Sequence, residues 1–254
     1  MTTNTGNFDN PLILAVETSG RLGSVALAQG DKLLAESRFS GPMRHSAEIF
    51  PAVTDLLSRF NKKPDQIEHV YVSAGPGSFT GLRIAVTFAK TLALANNTKL
   101  ARRSFGGIVA VDTLDCIAAN VIDFVPPSPL PQLKTDDRLA VILDAKRSQF
   151  FIAVYEETPD TIWKKVLPDC LMTAEEFLSR FTDKPIVLTG EGLVFYKDKF
   201  TGPNVSVLDE KFWNPSAANI HKLGWHKAQN GEFSDPLTLI PNYIRGPDAI
   251  VKQM

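Results

Sequence analysis

Apolar runs of two kinds alternate along this chain, short continuous ones and longer ones at helical spacing, and their order repeats. Residues 12–18 (LILAVET) open with a continuous apolar run that predicts a buried strand, closed by the polar turn Ser19-Gly20-Arg21-Leu22-Gly23. Two more short strands are predicted at 24–28 and 32–39, joined by Gln29-Gly30-Asp31. Residues 46–60 place Ile49, Phe50, Val53, Leu56, Leu57 and Phe60 at helical spacing. A strand is expected at 69–73 (HVYVS), a helix at 82–95, a strand at 108–111 and a helix at 112–121. The proline-rich stretch 126–137 reads as a surface connection.

The pattern then restarts. Strands are predicted at 139–144, 149–155 and 161–167, with Ala145-Lys146-Arg147 as the turn after the first. An amphipathic helix follows at 173–181, capped by Thr173 with Glu176 three residues on. A strand at 185–189 ends in Gly190-Glu191-Gly192, and a final helix is expected at 216–229. Two copies of one topology predict two α/β lobes, 1–138 and 139–254, with mixed sheets flanked by helices and a cleft between them.

The loop Ala74-Gly75-Pro76-Gly77-Ser78-Phe79-Thr80-Gly81 lies between a predicted strand and a predicted helix. Glycines there leave two readings open. One is an anion-binding loop with free amides at a helix start, the other a tight turn that lets the helix lie close to the sheet. The loop fits neither the dinucleotide fingerprint nor the phosphate-loop spacing. The helix after it is apolar on most of its surface, so it must be covered on every side. Either this chain covers both sides, or Ala85, Ala89 and Ala93 leave a shallow face on which another helix packs.

Composition narrows the function classes. The 254 residues are 44% hydrophobic and 22% charged, with a net charge of −1. Beyond Lys62-Lys63 and Arg102-Arg103 there is no basic tract, which argues against unaided nucleic-acid binding. Cys116 and Cys170 match no metal spacing and read as thiols of a reducing compartment. The apolar run at 12–16 is too short for a signal or membrane helix, so a cytoplasmic protein is expected. Candidate chemistry is sparse. A phosphotransferase needs a carboxylate at the first turn, and Glu17 stands there, with Asp144, Lys146 and Arg147 at the second-lobe turn. Asp112, Asp115 and Cys116 are weak metal-ligand candidates, since Asp112 reads as a helix cap and Cys116 as core. His45, His69, His221 and His226 are scattered, and Ser78 sits in no nucleophile elbow.

Taken together, the chain resembles the TsaB (YeaZ) family, relatives of the Gcp-like, M22 glycoprotease-like proteins. The carrying residues are 13–19 (ILAVETS), His45, 75–84 (GPGSFTGLRI), 143–147 (LDAKR) and 241–245 (PNYIR). Glu17 departs from the Asp of many members, and 99–107 is longer than the usual path from helix to strand. The resemblance implies an actin-like (ASKHA) fold of two ribonuclease-H-like lobes. It also implies a non-catalytic partner of TsaD, with TsaE in a larger complex, in threonylcarbamoyl transfer to the adenosine beside the tRNA anticodon. On that reading tRNA is met only indirectly and no membrane is involved; a self-associating homodimer acting alone is left as a further alternative. No metal or cofactor is expected, a nucleotide only at a partner interface. TsaD carries a metal-binding His-x-x-x-His helix whose counterpart here, 111–117, has no histidine. The family pairs through first-lobe helices, which favours the shallow-face reading and assigns the interface to Phe79, Arg83, Ala85, Ala89, Lys90 and Ala93. Arg83 alternatively pairs with Glu17 or a helix end. The competing expectation is a stand-alone ATP-dependent small-molecule kinase of the same fold.

Overall fold

A computed structural model of the chain describes residues 10–96, 105–122, 133, 137–158 and 163–244. The Arg102-Arg103 pair, Arg245, most of 99–107 and nearly all of 126–137 lie outside the described residues. The first lobe contains β1 (Leu12–Glu17), β2 (Ser24–Gln29), β3 (Lys32–Arg38), α1 (His45–Arg59), β4 (His69–Gly75), α2 (Phe79–Asn96), β5 (Gly107–Asp112) and α3 (Thr113–Ala118). The second follows with β6 (Arg138–Asp144), β7 (Phe150–Glu157), β8 (Trp163–Met172), α4 (Ala174–Phe181), β9 (Ile186–Thr189), α5 (Leu193–Tyr196), β10 (Val205–Val207) and α6 (Ala217–Gln229). The sheets have the orders β3-β2-β1-β4-β5 and β8-β7-β6-β9-β10. In both, the first three strands form an antiparallel meander, and the fourth and fifth join in parallel. This is the duplication that the repeated pattern predicted.

Burial on both faces explains the continuous apolar run of β1. Leu12, Leu14 and Val16 enter the core beneath α1 and α2, whereas Ile13 and Ala15 face a second core with α6. The capping box of α4 forms as predicted. Thr173 accepts from the Glu176 amide at 3.2 Å, and the Glu176 carboxylate accepts from the Thr173 amide at 2.7 Å.

Strand β6 begins at Arg138, and α6 does not stay with the sheet that it follows. Helix α6 packs on β1, β2, β4 and β5 of the first sheet, while α3 joins the apolar core of β6 and β7. Helix α3 thus bridges the two lobes, touching β4 and β5 as well as β6, while α6 lies on the first sheet. Small residues make this close: a Cβ on Gly224 would stand 2.6 Å from the Tyr71 ring. Beyond α6 the chain returns to the first lobe, where the Ser234 amide donates to the Ile108 carbonyl at 2.8 Å, and by Ile244 it reaches the core of β6 and β7.

The small-residue face of α2 corrects a second expectation. Ala85 and Ala89 are fully buried, as is Ala93, in the core that α2 shares with α1 and the sheet, so none of the three lies on an accessible interface. Small side chains let α2 settle close onto β4, and its larger residues Ile84, Phe88 and Leu92 flank that core half-buried. Phe50, counted with the apolar face of α1, instead points outward with 64% exposure and meets Phe88 edge-on at 5.3 Å.

An arginine at position 89 would put an uncompensated charge into this core. Ala89→Arg is therefore expected to lose the cooperative melting transition of the isolated chain. A wild-type melting curve for that variant would show that the alanine face is open after all.

Candidate functional site

The glycine loop is where three stretches of backbone converge. The Ser78 amide, which an anion would need, donates to the Ser19 carbonyl at 2.8 Å. Gly75 has φ +120°, and a Cβ there would stand 2.7 Å from the Asn242 carbonyl oxygen. A Cβ on Gly77 would lie 2.6 Å from the Ser19 carbonyl oxygen, and one on Gly81 only 1.8 Å from that of Thr18. Thr18 Oγ1 in turn donates to the Gly81 carbonyl at 2.7 Å. Of the two readings, the close-packing turn is the one this geometry supports. Its glycines make room for neighbouring backbone.

A cleft of about 760 Å³ opens between the lobes, lined among others by Ser19, Arg21, Lys146, Glu191, Phe195 and Tyr243. In each turn that faces it, the chain's own carboxylates take amides suited to binding phosphate. Glu17 accepts from Ser19 Oγ at 2.6 Å, from the Ser19 amide and from the Gly20 amide at 3.3 Å. Glu191, from the second lobe, receives the Arg21 amide on both oxygens at 3.0 and 3.1 Å. Asp144 accepts the Lys146 amide at 2.7 Å and its ammonium at 2.6 Å. Burial pushes the Glu17 carboxyl up to about 7, against the lowering effect of its Ser19 hydrogen bonds. Burial raises Glu191 likewise, partly offset by the Arg21 amide. The Arg21 guanidinium lies 4.8 Å from the centre of the exposed Phe195 ring at the cleft mouth.

The metal candidates do not converge. Cys116 is buried and donates to the Ser216 carbonyl at 3.3 Å. Asp112 occupies the N-cap position of α3 without a capping hydrogen bond, 3.7 Å from Lys165. Asp115 accepts from the Tyr155 hydroxyl at 2.7 Å and pairs with Lys165 at 2.8 Å. Lys165 also pairs with Asp169 at 2.6 Å, and burial pushes Asp169 up to about 6. This half-buried cluster was invisible to sequence reading, since its members lie in β5, α3, β7 and β8 with no common spacing. Among the described residues, no group of three or more His, Cys, Asp and Glu is arranged to hold a metal ion. Three of the histidines are buried: His45 against the Gly20 carbonyl, His69 beside the Tyr71 hydroxyl and His221 against the Gly30 carbonyl. His226 is exposed in the last turn of α6. Ser78 Oγ accepts from the Gly81 amide at 3.2 Å, a helix-start contact rather than a nucleophile's.

A second cavity of about 630 Å³ runs between α1 and α2, mainly apolar, with Ile49, Phe50, Phe79, Arg83, Phe88 and Leu92 along it. Of the six residues expected at an interface, Phe79 and Arg83 lie here, whereas Ala85, Ala89 and Ala93 lie in the core. Lys90 turns away from the groove and donates to the Leu237 carbonyl at 3.3 Å. Arg83 does not meet Glu17. Its guanidinium covers the Phe79 ring at 3.8 Å, and its Nε donates to the Tyr243 hydroxyl at 3.1 Å.

Duplicated ribonuclease-H-like lobes around a cleft place the chain in the actin-like fold class. A solved structure titled YeaZ, from Pseudomonas aeruginosa, superposes with a TM-score of 0.73 at 21% identity, covering 92% of this chain and 99% of that one. A family profile described as TsaD, tRNA N6-adenosine threonylcarbamoyltransferase, matches residues 41–212. The protein named TsaB, tRNA threonylcarbamoyladenosine biosynthesis protein, of Bacillus subtilis is 29% identical over 245 residues, 94% of this chain and 96% of its own length. Its Escherichia coli namesake is 27% identical over 151 residues, 59% of this chain and 58% of that protein. The chain belongs to the TsaD family that this profile defines, and within it to the TsaB (YeaZ) group.

The raised carboxyl of Glu17 sets a pH dependence. Its folded value near 7 exceeds its ordinary 4.5, so its contribution to stability is full below about pH 4.5 and is lost as pH rises through about 7. Burial lowers His69 to about 4, and that titration is common to wild type and variant. Glu17→Gln is expected to gain on the wild type by about 2–3 kcal/mol between pH 5 and pH 8, measured by denaturant unfolding at both. Parallel pH profiles would contradict this.

Proposed function

We propose that this chain serves tRNA threonylcarbamoyladenosine biosynthesis as a non-catalytic partner of TsaD, docking through the groove between α1 and α2. TsaE joins a larger complex in this reading, tRNA is met through the partner, and the protein works in the cytoplasm. Among the described residues, no helix is long and apolar enough to cross a membrane. The names of the relatives supply the pathway, and the carrying observation is the contrast between the two cavities. The turn amides of the cleft are engaged by Glu17, Asp144 and Glu191, so a phosphate would have to displace a carboxylate at each turn. The groove presents apolar surface, including Phe50 and Phe88, with an arginine at its end. A body with this cleft is suited to holding another protein in shape rather than to transferring phosphoryl groups.

The stand-alone kinase reading draws on the same cleft and on Asp144, and the two readings separate in one set of measurements. Phe50→Asp is expected to weaken association with purified TsaD at least about tenfold by calorimetry. The melting temperature should hold, because Phe50 is exposed. Purified chain alone is expected to show no Mg²⁺-dependent ATP turnover. Unchanged affinity of Phe50→Asp would remove the groove as the docking site. Turnover that Asp144→Ala abolishes would establish the kinase reading instead.

A further inference from the structure

After α6 the chain runs back along the first lobe as a strap over residues 231–243. It is held at intervals. The Phe233 ring lies 5.2 Å from that of His69, the Ser234 amide pairs with Ile108, and Lys90 donates to the Leu237 carbonyl. At its far end the Asn242 amide donates to the Ala74 carbonyl at 2.6 Å, fixing the strap against the glycine loop. That anchor delivers Tyr243 to the start of α2. Its ring centre lies 5.0 Å from that of Phe79, and its hydroxyl accepts from Arg83 Nε, 160 positions away in sequence. Phe79 lines both cavities, Arg83 the groove alone and Tyr243 the cleft alone.

An exposed arginine on a helix ordinarily samples many rotamers, and ordering it on binding costs free energy. Here the Phe79 face and the Tyr243 hydroxyl hold the guanidinium in one place before any partner arrives. We propose that Tyr243 is a positioning residue for the docking groove, holding Arg83 and Phe79 in the arrangement that the partner meets. This rests on the docking reading above. It assigns the strap, from the far end of the chain, a share in a surface that α1 and α2 otherwise build.

The test is a double-mutant cycle on binding to purified TsaD, with Tyr243→Phe, Arg83→Ala and their combination. Tyr243→Phe keeps the ring over Phe79 and removes only the hydroxyl, so the melting temperature should hold while the dissociation constant rises about fivefold. Added to Arg83→Ala, the same change should have no further effect, because the bond it removes is already gone. In the free chain, Tyr243→Phe should also abolish a slowly exchanging Arg83 Nε–H resonance seen in the wild type. Wild-type affinity of Tyr243→Phe, independent effects in the combination, or no such resonance in the wild type would each overturn the proposal while leaving groove docking intact. A wild-type chain that fails to bind TsaD would overturn the docking reading and this proposal with it.

Discussion

The closest constraint in this molecule is the contact between the end of β1 and the start of α2. Gly81 leaves so little space to the Thr18 carbonyl that no side chain fits, and Thr18 Oγ1 returns a hydrogen bond to the Gly81 carbonyl. That approach sets how deep α2 sits on the first sheet. The depth in turn buries Ala85, Ala89 and Ala93 and leaves the larger side chains to shape the groove with α1. The same convergence holds Ser19 under Ser78 and brings the strap against Gly75. Groove, cleft floor and strap are consequences of one backbone contact.

Electrostatics in the cleft follow from what the turns had to satisfy. A polar turn at a lobe junction needs partners for its amides, and the chain meets this with carboxylates from its own length. Glu17 does so locally, two residues before Ser19, and burial raises its carboxyl to about 7, so that it is half-protonated near pH 7. Glu191 does so across the cleft, tying the first-lobe turn to the second lobe. The Gly20, Arg21 and Lys146 amides that border the cleft are engaged by the chain's own carboxylates.

Much of the fold was legible because it rests on local periodicity. Continuous runs at β1, β4 and β6, helical spacing in α1 and the Thr173–Glu176 capping box are patterns within a dozen residues, and each formed where the pattern lay. Short elements escaped: α5 and β10 span four and three residues, too few for a period to register. The restart at β6 is legible in the sequence, whereas the packing of α6 on the first sheet is decided by tertiary structure.

The sequence by itself determined the two-lobed duplication, the element types and the family, since these depend on apolar spacing and on a glycine motif read in order. Only the tertiary structure decided which face of α2 turned inward, because a helix apolar all round carries no mark of which side meets the sheet. It alone brought Lys165 to Asp115 and Asp169, Glu191 to Arg21, and Tyr243 to Arg83. These meetings depend on how sheets twist and helices cross. Apart from the neighbours Lys165 and Asp169, their partners lie 50 to 170 positions apart, beyond the reach of any local pattern.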